Sequence, residues 1–528
     1  SLLDRENFVV LGDFMNKLVF RGTVILTASA LIIKILSAVY RLPYQNLAGD
    51  VGFYVYQQAY PFFALAGVMG GFGFPVILSK LAAEKTDVKG QAVIFKTAAM
   101  MLGAVGGLLF LTLFLGAPSL ADWMGDPRLA PLFRLTGLIF LVMPMLALLR
   151  GYFQGVHYWM LPTGVSQVAE QTVRVTLILG LSFYLFSIGA GPYAFGSAAV
   201  FGSAVAPYVA AVILLFFYMK RPRVVRAKWR SVRLDGKVAW RLLAEGLAYT
   251  LTALSVVFFQ FSDVISLVPL LTHAGVSEAK ALKGIYDRAY PLIQMGMTFS
   301  TALTAAMIPV VAKITHQKDE AELRRNIQQA LRWVILLGGA QSVGLFSIIK
   351  PLNIMLFKNG DGTLALGIMA LSVVFASLVT IGSGLLQSLG LTFRPVLYVL
   401  AAFLLKLVLN IWLVPKMEIM GAALATLVGL SFLTILVVTK IRRHLATTLF
   451  TVKEWMALVI SLAGLWLAVF VWIHGASIIF DFESGERGQA AVVALSSVAL
   501  GVVVYGFSVL KLGLVTIEDV KRLRGHHT

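Results

Sequence analysis

The chain has 528 residues, 59% of them hydrophobic, 13% charged and none cysteine, with a mean hydropathy of +0.86. Soluble domains carry about 25% charged residues, so a soluble globular protein is excluded; the lack of cysteine excludes disulfides, thiolate metal centres and cysteine nucleophiles. A net charge of +19 in so apolar a chain reads as Lys- and Arg-rich cytoplasmic loops, not as a nucleic-acid surface.

Residues 1–14 hold no cationic start, apolar core and small-residue cleavage site, so a cleavable signal peptide is not expected in them. They are expected to be a non-native remnant ahead of Met15. The apolar runs that follow are long enough for membrane helices and too long for barrel strands. The pattern predicts an all-α integral membrane protein of about 14 transmembrane helices. The spans are 18–40, 51–79, 91–116, 129–153, 160–187, 193–219, 239–271, 284–312, 327–349, 363–390, 395–414, 420–440, 455–474 and 488–511. The expected organisation is an N-lobe over 15–219, a basic cytoplasmic linker over 220–238, a C-lobe over 239–440, and two further helices with a cytoplasmic tail over 441–528.

Loop charge orients these spans. Lys80, Lys85 and Lys89 follow the second span, and the linker carries Lys220, Arg221, Arg223, Arg226, Lys228, Arg230, Arg233 and Lys237. Lys313, Lys318, Arg324 and Arg325 follow the eighth, Lys440, Arg442 and Arg443 the twelfth, and Lys521, Arg522 and Arg524 the last. Asp122, Asp126, Asp481, Glu483 and Glu486 fall on the other side. The positive-inside rule then places both termini in the cytoplasm.

Two motifs recur. Ala59-Tyr60-Pro61 returns as Ala289-Tyr290-Pro291, 230 positions on; Gly151-Tyr152-Phe153-Gln154 returns as Gly384-Leu385-Leu386-Gln387, 233 positions on. Repeats at nearly one offset imply two similar lobes of six helices. The second span holds Gly67, Gly70, Gly71 and Gly73 within seven positions, which makes it the candidate for a bend.

Ionisable groups in hydrocarbon cost about 2.5 to 3.5 kcal/mol each on translocon scales, so they face one another or a wet cavity. Lys34 and Arg41 lie seven apart on one helical face. Glu170 and Arg174 have the spacing of an intrahelical ion pair. Asp287 and Arg288 open the eighth span. Lys406 and Asn410 suit either packing between helices or a cavity wall, and Asp263 is a candidate site for a coupling cation. Cations predominate, which suits an anionic substrate held by bidentate bonds.

Arg21-Gly22-Thr23, Tyr40-Arg41, Gly49-Asp50, Arg150-Gly151-Tyr152-Phe153-Gln154-Gly155, Ser166-Gln167-Val168, Glu170-Gln171, Arg174 and Tyr286-Asp287-Arg288 carry a resemblance. In this order the chain resembles the multidrug/oligosaccharidyl-lipid/polysaccharide exporter superfamily. It is most similar there to the polysaccharide-biosynthesis group of stage V sporulation protein B and the MurJ-type lipid II flippases. The resemblance implies two pseudo-symmetric lobes in a V shape and movement of a lipid-linked sugar diphosphate from inner to outer leaflet. It implies a cavity role for Arg41, Asp50, Asp287 and Arg288. The arginine that such flippases carry inside the second helix has no match in Phe62-Phe63-Ala64-Leu65; Lys34 or Lys406 is the expected substitute.

The expected function is a flippase for an undecaprenyl-diphosphate-linked peptidoglycan precursor (lipid II). The alternatives are a flippase for another lipid-linked oligosaccharide or spore-cortex precursor, and a drug/cation antiporter. The antiporter would want acidic cavity residues, which the cationic excess disfavours. A membrane enzyme would want a large soluble domain or clustered carboxylates in a loop, and no ATPase motif is present. No cofactor or metal is expected; membrane potential or an ion gradient supplies the drive. Expected partners are the lipid-linked sugar diphosphate, membrane lipids and cell-wall synthesis proteins, with no nucleic acid, and the chain acts as a monomer.

Overall fold

The computed structural model describes residues 2–85, 87–156, 159–220, 233–317, 319–445, 449–481 and 486–515. The side chains of 2–24, 27, 38, 305, 308, 309, 312, 313, 316 and 317 are also outside the description. Most of the basic linker, Glu483 and the basic residues of the tail therefore lie outside the described residues.

The described residues are all-helical in architecture, 90% of them in helices. The order is α1 (Leu2–Val68), a π-helical turn (Met69–Gly73), α2 (Phe74–Ala83), α3 (Val88–Trp123), α4 (Ala130–Gly137), α5 (Ile139–Gly155), α6 (Leu161–Ser187), α7 (Pro192–Met219), α8 (Gly236–Ala253) and α9 (Ser255–His273). It continues with α10 (Ala279–Asp287), α11 (Ala289–Gly296), α12 (Thr298–Gln317), α13 (Glu320–Phe357), α14 (Thr363–Leu371), α15 (Val373–Ser388), α16 (Arg394–Leu445), α17 (Val452–Ile479) and α18 (Arg487–Lys511).

Ten described segments are long and apolar enough to cross a bilayer. Two of them are double. α1 turns at Gly49, whose φ of 68° an L side chain rarely adopts; a Cβ there would meet open space, so the backbone alone demands glycine. α16 turns at Glu418, with φ 51° and ψ −133°, a conformation that costs on the order of 1–3 kcal/mol in a non-glycine residue. The helix α6 and the run α10–α12 lie where the two remaining passes are expected.

The chain divides into two compact units, Ser1–Ile265 and Ser266–Thr528, with the division inside α9. In the first unit, α1 packs on α6 and α7, while α2 and the π turn pack on α5 and α8. Asp126, fully buried, accepts hydrogen bonds from the hydroxyls of Tyr54 and Tyr193 and ties the start of the second pass to α7. In the second unit α13 is the hub, with α14, α15, α17 and α18 around it. Ile354, Ala476, Ala490 and Val493 form one apolar cluster there. Arg487 donates to the carbonyl of Met355 at 3.0 and 3.1 Å, closing the C-terminal end of α13 where helix carbonyls lack partners.

The repeat is visible in side-chain geometry. Tyr56 and Tyr60 meet edge to face at 6.3 Å between centroids, and Tyr286 and Tyr290 do so at 6.0 Å. The Tyr56 hydroxyl reaches Ser203 on α7 at 3.3 Å, and that of Tyr286 reaches Thr426 on α16 at 3.0 Å.

Candidate functional site

The glycine-rich run that invites a bend is where the helix widens into a π turn, Met69–Gly73. A π turn lengthens the hydrogen-bond ring and disturbs the regular pairing of nearby carbonyls. Two are met from outside: Arg150 Nη1 donates to the Gly70 carbonyl at 3.2 Å, and Gln167 Nε2 to that of Gly71 at 3.5 Å.

Arg150 is the first link of a buried chain of charges. Its Nη2 donates to Glu170 Oε2 at 2.9 Å and its Nε to Ser166 at 3.4 Å. The other Glu170 oxygen accepts from Arg174 Nη2 at 3.0 Å, and Arg174 Nη1 donates to Gln171 at 3.3 Å. The intrahelical pair read from the sequence is thus half of a three-residue network. Truncating one partner of such a buried ion pair costs about 3–5 kcal/mol.

Arg174 lies within electrostatic reach of Tyr40, Tyr56 and Tyr60. The same three tyrosines surround Arg41, which is 4% exposed, is hydrogen-bonded to Tyr40, and stands 4.7 Å from the centre of the Tyr60 ring. The Tyr40 and Tyr56 hydroxyls are 2.9 Å apart. Among the described residues Arg41, Arg150 and Arg174 stand with the carboxylate of Glu170, a formal charge of +2 for these four side chains.

The other predicted residues are distributed. Lys34 is half-buried two turns before Arg41. Asp50 accepts from Gln45 at 2.9 Å beside the Gly49 turn. Asp263 is fully buried on α9. In the second unit, Lys283 pairs with Asp287 at 2.5 Å, both almost wholly buried. Arg288 is fully buried; its Nη1 donates to Asn359 at 2.7 Å and Asn353 at 3.5 Å, and its guanidinium lies 5.1 Å from the Phe357 ring. Asn353 in turn donates to the Asp361 carbonyl and to Thr363, so Arg288 is built into the α13–α14 connection. Lys406 is fully buried on α16, and Asn410 donates to Ser266 at 3.0 Å, a bond between α16 and α9.

Sequence reasoning missed Arg150, Gln167, Lys283 and the three tyrosines as site residues. Arg150 stands inside a motif quoted for its likeness alone, and Lys283 has the i, i+4 spacing to Asp287 that signals an ion pair. Tyr40, Tyr56 and Tyr60 had no charge to betray them.

A family model described as polysaccharide biosynthesis protein matches residues 19–315. The chain is 38% identical to the uncharacterized membrane protein YabM of Bacillus subtilis (strain 168) over 95% of this chain and 94% of that one. It is 24% identical to the lipid II flippase MurJ of Bacillus subtilis (strain 168), over 97% and 98%. Its fold is similar to a solved structure titled lipid II flippase MurJ, inward closed conformation, with a TM-score of 0.67 and 13% identity, covering 92% of this chain and 98% of that one.

Proposed function

The chain belongs to the polysaccharide biosynthesis protein family, and from that premise we propose that it is a flippase for lipid II, an undecaprenyl-diphosphate-linked peptidoglycan precursor. It carries the precursor from the inner to the outer leaflet by alternating access, with both termini in the cytoplasm. The observation that carries this reading is the +2 cluster of Arg41, Arg150, Arg174 and Glu170 among Tyr40, Tyr56 and Tyr60. A diphosphate brings negative charge and acceptor oxygens on both phosphorus atoms. Guanidiniums already held in place meet it with charge-assisted bonds, and tyrosine hydroxyls add neutral donors. Groups fixed before binding also lose little freedom when the ligand arrives. The likeness to a lipid II flippase along nearly the whole of both chains supports a transporter, not an enzyme. Membrane potential or an ion gradient drives the cycle, without a cofactor.

Depleting this protein in its own host and assaying the inner leaflet tests the reading. Lipid II should accumulate there. Accumulation of a different lipid-linked sugar would replace the substrate, and loss of drug resistance without any precursor building up would mean an antiporter. Arg41→Ala should lower flipping by about ten-fold or more while membrane abundance is kept, the loss expected for a hydrogen bond to a charged group. Arg41→Lys should recover part of it, since an ammonium keeps the charge and loses the planar fork.

A further inference from the structure

The second unit carries a basic pocket separate from the residues above. Arg325, Gln329 and Arg332 on α13 line a cavity of about 250 Å³ whose floor is Leu336, Leu514 and Val515. Positions 325, 329, 332 and 336 follow the i, i+4, i+7 and i+11 spacing of one helical stripe. The polarity of α13 changes along that stripe. Residues 320–332 include Glu320, Glu322, Arg324, Arg325, Asn326, Gln328, Gln329 and Arg332, whereas Val334 begins the apolar run. Trp333, also on the pocket wall, sits at the change, the level at which tryptophan marks a membrane interface. The cavity therefore spans the headgroup layer and the first acyl carbons, on the basic side of the protein.

The two arginines differ. Arg332 is fixed by Glu454 at 2.6 Å, by the Leu449 carbonyl at 3.4 Å and by the Phe450 ring at 4.7 Å. Arg325 is exposed and makes no ion pair among the described residues. Seven residues separate them, about 10 Å of axial rise, which two arginine side chains span together. With Arg332 balanced by Glu454, the described lining of the pocket carries one net positive charge.

We infer that this pocket binds the phosphodiester headgroup of a monoanionic phospholipid of the inner leaflet, phosphatidylglycerol being the natural probe. The single net charge matches one phosphodiester, and the apolar floor takes the first carbons of the acyl chains. A volume below the usual 300–1,000 Å³ of small-molecule pockets suits a headgroup. Basic pockets between membrane helices are a recurring means of holding anionic headgroups. Arg325 closes on the phosphate; Arg332 and Gln329 form its fixed wall.

The test uses the full chain in detergent. Thermal unfolding is followed during titration with phosphatidylglycerol, with phosphatidylcholine and with inorganic phosphate. Phosphatidylglycerol alone should raise Tm, and native mass spectrometry should show it retained. Arg325→Gln should leave the lipid-free Tm unchanged and weaken the phosphatidylglycerol response roughly five-fold, the contribution of one basic residue at an anionic surface. Gln329→Ala, a second mild change, should weaken it less. Equal stabilisation by phosphatidylcholine, or a full response in Arg325→Gln, would overturn the site. An equal response to inorganic phosphate would make it a free-anion site and overturn the lipid.

Discussion

Arg241 and Glu84, 157 positions apart, meet in a two-point ion pair, Nη1 to Oε2 at 2.9 Å and Nη2 to Oε1 at 3.0 Å. Arg241 Nε also holds Glu245 at 2.8 Å, and Lys80 stands 3.6 Å from Glu245. These contacts finish an antiparallel seam. A Cβ on Gly73 would lie 2.0 Å from Thr250 Oγ1, and one on Gly246 would lie 2.4 Å from the Phe74 ring. Small residues therefore let α2 and α8 touch near the π turn, and charges clasp them at their far ends.

If the clasp holds α2 against α8, loosening it should admit solvent to the seam. The chain has no cysteine, so Thr250→Cys is a single reporter of the seam. Glu84→Gln or Arg241→Gln should speed its labelling by a water-soluble thiol reagent about two- to five-fold, the range for a partly exposed pair. Glu84→Arg combined with Arg241→Glu should restore slow labelling. Unchanged labelling in both single variants would mean the pair is ornamental.

The same reporter predicts a pH response. The hydrogen bond from Arg241 holds the Glu84 carboxyl below its ordinary value of 4.5. A depressed carboxylate stabilises the clasped seam above its unperturbed pKa and loses that contribution as pH falls through the depressed one. Labelling relative to a free thiol under the same conditions, which removes the falling thiolate fraction, should stay flat from pH 8 down to 4.5 and rise only in stronger acid. A rise near neutrality would point to a different group.

Gly73→Ala should push α2 off α8, because the nearest obstacles are Thr250 Oγ1 at 2.0 Å and the Gly246 carbonyl at 3.0 Å. Overpacking of this kind costs about 1–3 kcal/mol. The expected result is a lower Tm with faster labelling of a cysteine placed at Tyr249. Adding Thr250→Ala removes the closest clash and should return part of both. A Gly73→Ala protein with the parental Tm and labelling rate would rule out close packing here.

Arg288→Ala should lower Tm, since it leaves Asn353 and Asn359 without their charged donor in a buried connection; the loss expected is about 1.5–3 kcal/mol. Flipping should fall with stability, in proportion. If flipping is abolished at unchanged Tm, Arg288 touches substrate and its bonds to Asn353 and Asn359 are secondary.

Membrane residence, helix spans and the internal repeat were legible in the sequence because each depends on local chemistry. Twenty apolar residues must form a helix in lipid, whatever surrounds them. The glycines at 67, 70, 71 and 73 marked the place of the π turn because glycine weakens a helix wherever it stands. The i, i+4 pair of Glu170 and Arg174 was also legible, since a single helix suffices to bring the two together. The resemblance carried Arg41 in the same way, by position in a motif.

Tertiary structure alone decided which charges belong together. Arg150 and Glu170 are twenty positions apart on different helices, and the Gly70 carbonyl that Arg150 also holds lies eighty positions earlier. A buried ion is tolerable only where its partners converge, and helix packing, not spacing along the chain, sets that convergence. The resemblance gives Arg288 a cavity role beside Asp287, and only the folded chain shows its bonds to Asn353 and Asn359. Tyr40, Tyr56 and Tyr60 come together around one guanidinium only once α1 turns at Gly49. Periodicity records which face of a helix is buried; what that face meets depends on helices tens or hundreds of residues away.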